Sequence, residues 1–371
     1  MHGITVNEPL AGTRPIAAVA TAVIGIVGTA PAAPNDDYPL DKPILITDVR
    51  AALATIGATG TLPKALEAIA LQCSPIIILV RVAPGADDAA TETAIAGDVG
   101  TYTGVHALVA AESQLGVRPR ILGVPGLDTQ AVITELVTVA KKLRGFVYAS
   151  CDAANTVAEA VIYRGEFGDR ELMLIYPDFS GFPGHAVAVA LGTRARIDQE
   201  TGWHKTLSNV AVAGVTGLSA PIGFDLQSGD NDAGLLNAAP VTTLVRMNGY
   251  RFWGNRTCSD DPLFAFESAV RTSQALQDAI ARGLIWAIDK PVTRNLIGDV
   301  IETINANFRA LVAQGRIVGA RAWFDPALNA ADQLAQGKVT IDYDFTPCAP
   351  AENIILNQRI TDRYYGQLLG Q

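Results

Sequence analysis

Few residues in this chain have the types and spacing that chemistry needs. His185 follows Gly181-Phe-Pro-Gly184 and comes soon after Tyr176-Pro-Asp178. An Asp/His pair could therefore sit at the C-terminal end of a strand, where open α/β sheets bind ligands. Such a pair can orient and activate a nucleophile. No serine or cysteine sits in a recognisable elbow beside it, and a loop histidine capping a turn explains the spacing more simply. Asp260-Asp261 would suit a metal or acid–base role, but Pro262 follows directly. Aspartate ahead of a proline at the first helical position reads as a helix cap. Arg246, Arg251 and Arg256 interleave with Tyr250, Phe252 and Trp253, which could stack nucleic-acid bases. At that spacing the arginines do not share a strand face. A strand with one aromatic face and arginines paired to carboxylates is the better account.

The remaining motifs are negative. Gly25 and Gly28 follow an apolar run, yet the third glycine and downstream acid of a dinucleotide fingerprint are missing. No P-loop, G-x-S-x-G or H-E-x-x-H spacing occurs. Cys73, Cys151, Cys258 and Cys348 lie far apart with no C-x-x-C spacing, so reduced, mostly buried thiols are expected rather than a zinc site or disulfides. The expectation is no catalytic residue, no metal and no cofactor. The alternative is an α/β hydrolase-like enzyme of unknown substrate, resting on Asp178 and His185.

The elements around these residues alternate in period. Ile76–Val82 is a continuous apolar run apart from Arg81, as in a strand covered on both faces. Similar short runs recur at Arg120–Val124, Phe146–Ala149 and Leu172–Tyr176. Between them Thr129–Leu143 carries Val132, Leu136, Val139 and Leu143 on one helical face. Strand, helix, strand, helix predicts an α/β architecture with a largely parallel sheet. Residues 219–240, crowded with Gly, Asn, Asp and Pro, read as a long loop or boundary. Two helices follow. The first is capped by Asp261-Pro262, with Phe266, Val270, Ile280, Leu284 and Ile288 along one side. The second spans about Thr293 to Ala313, with Ile297, Ile301, Ile304, Phe308 and Leu311, and stops at Gly315.

A chain of 371 residues with 49% apolar content is long enough for two or three domains with well-filled cores. Charged residues make up 18%, below the usual quarter. So few charges suggest that much surface ends up against other protein. Residues 240–371 carry 13 basic and 13 acidic side chains, so the whole charge of −9 falls on residues 1–239, with 15 basic and 24 acidic. An acidic front half and a neutral back half argue against nucleic-acid binding. Ile16–Ala30 mimics a signal peptide after Arg14. Its glycines and short length instead favour a buried strand at Ala22–Val27, and no membrane insertion is expected.

The two ends are the most informative. Ile4 and Val6 alternate with polar residues and are separated from the core by Pro9, Gly12 and Pro15. Val339, Ile341, Tyr343 and Phe345 alternate with Thr340, Asp342 and Asp344, a half-buried strand. Beyond Pro347-Cys-Ala-Pro350 an extended stretch runs from Ile354 to Ile360. Terminal strands divided from a domain by prolines either fold back as edges or pair with another chain.

Five blocks then carry a resemblance. Gly249-Tyr-Arg-Phe-Trp-Gly-Asn-Arg-Thr-Cys-Ser-Asp-Asp-Pro-Leu263, Arg118-Pro-Arg-Ile-Leu-Gly-Val-Pro-Gly-Leu-Asp128 and Ile197-Asp-Gln-Glu-Thr-Gly-Trp-His-Lys-Thr-Leu-Ser-Asn209 resemble contractile-tail sheath proteins of temperate myophages. Trp286-Ala-Ile-Asp-Lys-Pro291 and Ile341-Asp-Tyr-Asp-Phe-Thr-Pro347 are similar to that family too. The blocks keep the family's order and cover the chain nearly end to end. R-type bacteriocin sheaths share the ancestry, and type VI secretion sheaths are more distant.

The resemblance implies a multi-domain α/β fold of mixed sheet layers with helices, plus exchanged terminal strand arms. It implies an N-terminal arm over 1–20, an α/β region over 21–240 that includes the outward domain, a tube-facing C-terminal domain over 241–350, and a C-terminal arm over 351–371. Ile4, Val6, Ile354, Leu356 and Ile360 would be donated to neighbours, and Val339, Ile341 and Tyr343 would form the receiving strand. Lys290, Arg294 and Arg309 are the candidates to face the tube. The implied partners are further copies of the chain, the tail tube protein, and the baseplate and tail terminator proteins. The implied setting is a virion tail or a headless bacteriocin particle, assembled in the host bacterial cytoplasm.

Overall fold

The computed structural model of the chain describes residues 16, 19–182 and 184–365. Ile4 and Val6 lie outside the described residues. The short aliphatic runs form a six-stranded sheet. Its strands are β1 (Ile24–Thr29), β2 (Pro43–Ile46), β3 (Ile77–Val82), β4 (Ile121–Gly123), β5 (Phe146–Ser150) and β6 (Leu172–Ile175), in the order β2-β3-β1-β4-β5-β6. All pairings are parallel except β2 on β3. Every residue of β1, β3, β4 and β6 is buried, because helices cover both faces.

On one face lie α1 (Val49–Thr55), α2 (Thr61–Ala70) and α7 (Ala186–Glu200), packing Leu66, Ile69 and Leu191 over Ile26 and Leu79. On the other lie α3 (Asp88–Ala96), a 3-10 turn at Gly104–Ala110 and α5 (Gln130–Leu143), packing Leu108, Leu136 and Val137 against Val27 and Val147. The α5 stripe behaves as its spacing predicts: Val132, Leu136, Val139 and Leu143 are all buried, and Thr129 caps the helix by accepting from Val132 N. Two shorter helices, α4 (Ala111–Leu115) and α6 (Val157–Arg164), complete this half. The β6 edge is closed by later chain, with Thr242 N donating to Leu174 O at 2.9 Å and Cys258 N to Leu172 O at 2.8 Å.

The stretch 219–240 is more ordered than its composition predicts. It contains α8 (Asp232–Ala238), capped by Asn231, with Ala233 and Leu236 buried. A two-residue ribbon, β7 (Phe179–Ser180) with β8 (Gly217–Leu218), precedes it. The hairpin β9 (Thr243–Arg246) and β10 (Tyr250–Trp253) follows, its Leu244 and Phe252 buried in the first core.

The last part is α9 (Glu267–Gly283), α10 (Arg294–Ala313), β11 (Ile317–Trp323), α11 (Ala331–Ala335) and β12 (Asp342–Pro347). A third core of Trp203, Leu276, Ile304, Phe308, Leu311 and Ile317 holds them. Four expectations change here. Asp261 caps only a 3-10 turn, Pro262–Phe264, by accepting from Leu263 N, and α9 starts later. The helix ends at Gly283, so Leu284 and Ile288 belong to the following turn and Ile288 is exposed. Strand β12 starts at Asp342, which leaves Val339 outside it and exposed. Pro347 is the last residue of the strand, opposite Ile317, instead of part of the link. A proline fits a strand's edge or end because it has no N–H to contribute to the ladder.

Candidate assembly interface

Helix α9 joins the sheet layers to the C-terminal part through buried charge. Glu267, at its first turn, accepts from Arg194 Nη1 at 3.1 Å, from Leu207 N at 3.1 Å and from the Tyr148 hydroxyl. Arg194 also donates to Asp198 at 2.6 Å, and Asp198 pairs with Arg271 on α9. Burial alone would raise the Asp198 pKa, but Arg194 and Arg271 outweigh it and hold the carboxyl below its usual range. Further along α9, Asp278 takes Arg118, Arg120 and Arg144 from the sheet side. Sequence reasoning passed over this network. Its one visible signal was Arg194 and Asp198, four apart in a helix whose first half is apolar. The partners are too distant in sequence to be inferred.

The C-terminal sheet is only two strands, β11 antiparallel to β12. Tyr343 on β12 packs its ring 5.9 Å from Phe308, and burial raises its pKa. Ile341 is half-buried just before the strand. Among the described residues neither strand has a second partner. After Pro350 the chain forms no regular structure as far as Thr361, and its apolar side chains stand in solvent: Ile354 is 75% exposed, Leu356 85% and Ile360 99%.

Lys290, Arg294 and Arg309 are all exposed. Lys290 lies 4.6 Å over the Trp286 ring, and Arg309 pairs with Glu302 one face-repeat earlier on α10. Arg294 and Arg309 are separated by 15 residues, roughly 22 Å of helix, and lie within about 60° of one another around it. Of the α10 stripe, Ile304, Phe308 and Leu311 are buried. Ile297 and Ile301 are half-buried and line a groove of about 550 Å³ with Val292, Phe324 and Leu334.

The Asp178/His185 pair does form, with Nδ1 at 2.7 Å from the carboxylate. The carboxylate also accepts from Phe179 N at 2.7 Å and from Ala186 N at 2.6 Å, which caps α7. Burial drives the nearby Cys151 thiol far above its ordinary pKa, so it is no thiolate at neutral pH. The cavity here, lined by Asp128, Cys151 and Tyr176, is about 110 Å³, below the few hundred Å³ of small-molecule sites. The arginine strip is dispersed as its spacing predicts, but its partners differ. Arg251 donates to carbonyls of Met247 and Asn209, and Arg246 lies 5.9 Å from the Tyr250 ring. Among the described residues only Arg256 of the three meets a carboxylate, that of Glu352. Among the described residues no group of acids, histidines and cysteines could hold a metal, and no helix is long and apolar enough to cross a membrane.

Comparison with known proteins gives the family. Three family profiles match in order: the tail sheath protein Gp18 domain III N-terminal region over residues 21–82, the phage tail sheath protein central domain over 100–258, and the phage tail sheath C-terminal domain over 259–361. The tail sheath protein of Escherichia phage P2 is 50% identical, over 99% of this chain and 97% of its own. The major tail sheath protein of Serratia phage KSP20 is 45% identical, over 98% and 96%. Among solved structures, the sheath complex of the extracellular contractile injection system PVC in its contracted state superposes with a TM-score of 0.74 at 18% identity, over 98% of each chain. The contracted helical sheath of the anti-feeding prophage gives 0.73 at 19%, over 96% and 98%. The chain belongs to the phage tail sheath protein family and is a structural subunit of a contractile tail.

Proposed function

We propose that this subunit polymerises around an inner tube by donating its terminal segments to neighbours, and contracts to drive the tube through a bacterial envelope without catalysing a reaction. The carrying observation is the segment from Ile354 to Ile360, which leaves the body with its apolar side chains in water. Burying Ile354, Leu356 and Ile360 on one strand face would yield about 5–9 kcal/mol. Ordering seven residues costs roughly 7–14 kcal/mol. The two are comparable, so the segment orders only where a neighbour adds backbone hydrogen bonds of about 0.5–1.5 kcal/mol each. The free edges of β11 and β12, with Val339, Ile341 and Tyr343 at the entry to β12, suit that role.

In this reading residues 1–20 and 351–371 are arms, 241–350 face the tube, and the acidic 21–240 region includes the outward surface. Lys290, Arg294 and Arg309 would meet acidic groups on the tube, weakly enough to release during contraction. The ends of the polymer would meet baseplate and terminator proteins within a virion tail or bacteriocin particle assembled in the host cytoplasm. Contraction needs no nucleotide, because a lattice of two-state subunits multiplies a bias of a few kcal/mol per copy. The hydrolase-like alternative loses its support, since the Asp178 carboxylate is taken up in capping α7.

The test is electron microscopy of purified chain lacking residues 353–371. The truncated protein should stay folded and monomeric where the full chain forms tubes. Regular tubes from it would refute strand exchange.

A further inference from the structure

The guanidinium of Arg256 and the carboxylate of Glu352 meet as two parallel hydrogen bonds, Nε to Oε1 at 3.0 Å and Nη2 to Oε2 at 2.7 Å. Residues 96 apart make this contact, and its two sides differ in rigidity. Arg256 is fixed to the body: its backbone bridges Phe266, Thr257 N donates to Ala265 O at 2.8 Å, and Glu267 N donates to Asn255 O at 3.0 Å. Its guanidinium lies 5.2 Å from the Phe266 ring, so ring and carboxylate both hold it. Glu352 stands at the root of the C-terminal segment, five residues past Pro347 and two past Pro350. This short link runs along a cleft of about 870 Å³ that also borders Asn237, Trp253 and Arg256.

Beyond Glu352 the hydrogen bonds of the described residues are local: Arg363 N to Thr361, Arg363 to Tyr364, and Tyr365 N to Asp362 O. Among the described residues the Arg256–Glu352 pair is thus the last hydrogen-bonded tie between the segment and the body. Pro350 restricts the link before it, so tying the carboxylate sets the direction in which residues 353–361 depart.

We propose that Arg256 and Glu352 form a clasp that aims the C-terminal arm at the neighbouring subunit before contact. This rests on the strand-exchange reading. Arg256 is a positioning residue: it acts through Glu352 and raises the fraction of subunits whose arm is poised. The apparent affinity of an assembly step falls by the fraction that is competent, and an exposed bidentate pair shifts that fraction by about two- to fivefold. The side chains are 41% and 35% exposed, so the clasp is sensitive to salt. Lysine cannot replace arginine, because a single ammonium does not reproduce the fork.

The experiment measures the critical concentration for tube formation by sedimentation, at low and high salt, with full-length chains. Arg256→Ala, Arg256→Lys and Glu352→Ala should each raise it about two- to fivefold at unchanged melting temperature. The exchange Arg256→Glu with Glu352→Arg should restore it to within about twofold. Salt should raise the wild-type value and leave the alanine variants nearly flat. Glu352→Ala changes only the exposed link, so it remains decisive if the Arg256 variants fold poorly. Wild-type behaviour of Glu352→Ala at both salts, with the 353–371 deletion still unable to form tubes, overturns the clasp and spares strand exchange. Tubes from the deleted chain overturn both.

Discussion

The sheet layers and the C-terminal part are built from similar residues yet finished differently. In β1 and β3 every residue is buried. In β11 and β12 only Ile317 and Ala322 are. The α5 stripe is buried along its whole length, whereas the α10 stripe is buried in its second half only. The six-stranded sheet has helices on both faces and later chain over its β6 edge, so its core is complete within one subunit. The two-stranded sheet has one helical face and, among the described residues, open edges. A pair of strands is marginal by itself, and here α10 supports it while the exposed segment after Pro350 has nothing to pack on. One half of the chain is a finished body and the other is a half-finished joint.

The largest way to break this contrast is through the charges that tie the halves together. Arg194→Ala leaves Asp198 and Glu267 buried with fewer partners, which should cost about 3–5 kcal/mol and lower soluble yield. Urea unfolding of the full chain measures it, and a loss below about 1 kcal/mol would show that the network is dispensable. Next in size, Leu66→Ala in the first core should cost about 2–5 kcal/mol. Ile301→Ala, only half-buried, should cost under about 1 kcal/mol in the free subunit while weakening assembly more than Leu66→Ala does per kcal/mol lost. Equal assembly defects at equal stability loss would erase the distinction between body and joint.

A smaller effect on the free subunit comes from Arg294→Glu with Arg309→Glu. Both side chains are exposed, so unfolding should shift by less than about 0.5 kcal/mol, with Arg309 losing only a surface pair to Glu302. Co-assembly with tube should fail while self-assembly persists. Normal extended tails from the double variant would remove these residues from the tube contact.

The smallest effect is a pH dependence within the finished body. The hydrogen bond that His185 Nδ1 donates to the Asp178 carboxylate raises the His185 pKa above 6.5, against the opposing effect of burial and of Lys64, with Asp128 adding to the rise. A raised folded-state value means that the contribution is complete below the unfolded pKa and is lost as pH rises through the folded one. The stability difference between wild type and His185→Gln should therefore be larger at about pH 5 than at about pH 9. Both side chains are partly exposed, so the difference should be modest. An NMR titration of His185 that shows a value at or below 6.5 would contradict it.

Much of this was legible in the residues. Periodicity alone placed β1, β3, β5, β6, α5 and α10 to within a few residues, because short-range spacing reports which side of an element is buried. Thr129 and Thr293 cap their helices as local chemistry demands. The motif blocks identified the family. Other features depended on contacts that no local spacing encodes. Asp261 has the signature of a helix cap, but Phe266 is extended and its backbone bridges Arg256, so α9 begins at Glu267. The Gly-rich stretch hides α8 because Leu236 finds a core that the local composition does not announce. The pairs Arg194–Glu267 and Arg256–Glu352 join positions 73 and 96 residues apart. The sequence by itself determined most of the sheet strands, the faces of α5 and the second half of α10, and the family. Only the tertiary structure decided which charges meet, since a charged side chain's partner is chosen by the path of the chain through space and not by its neighbours along it.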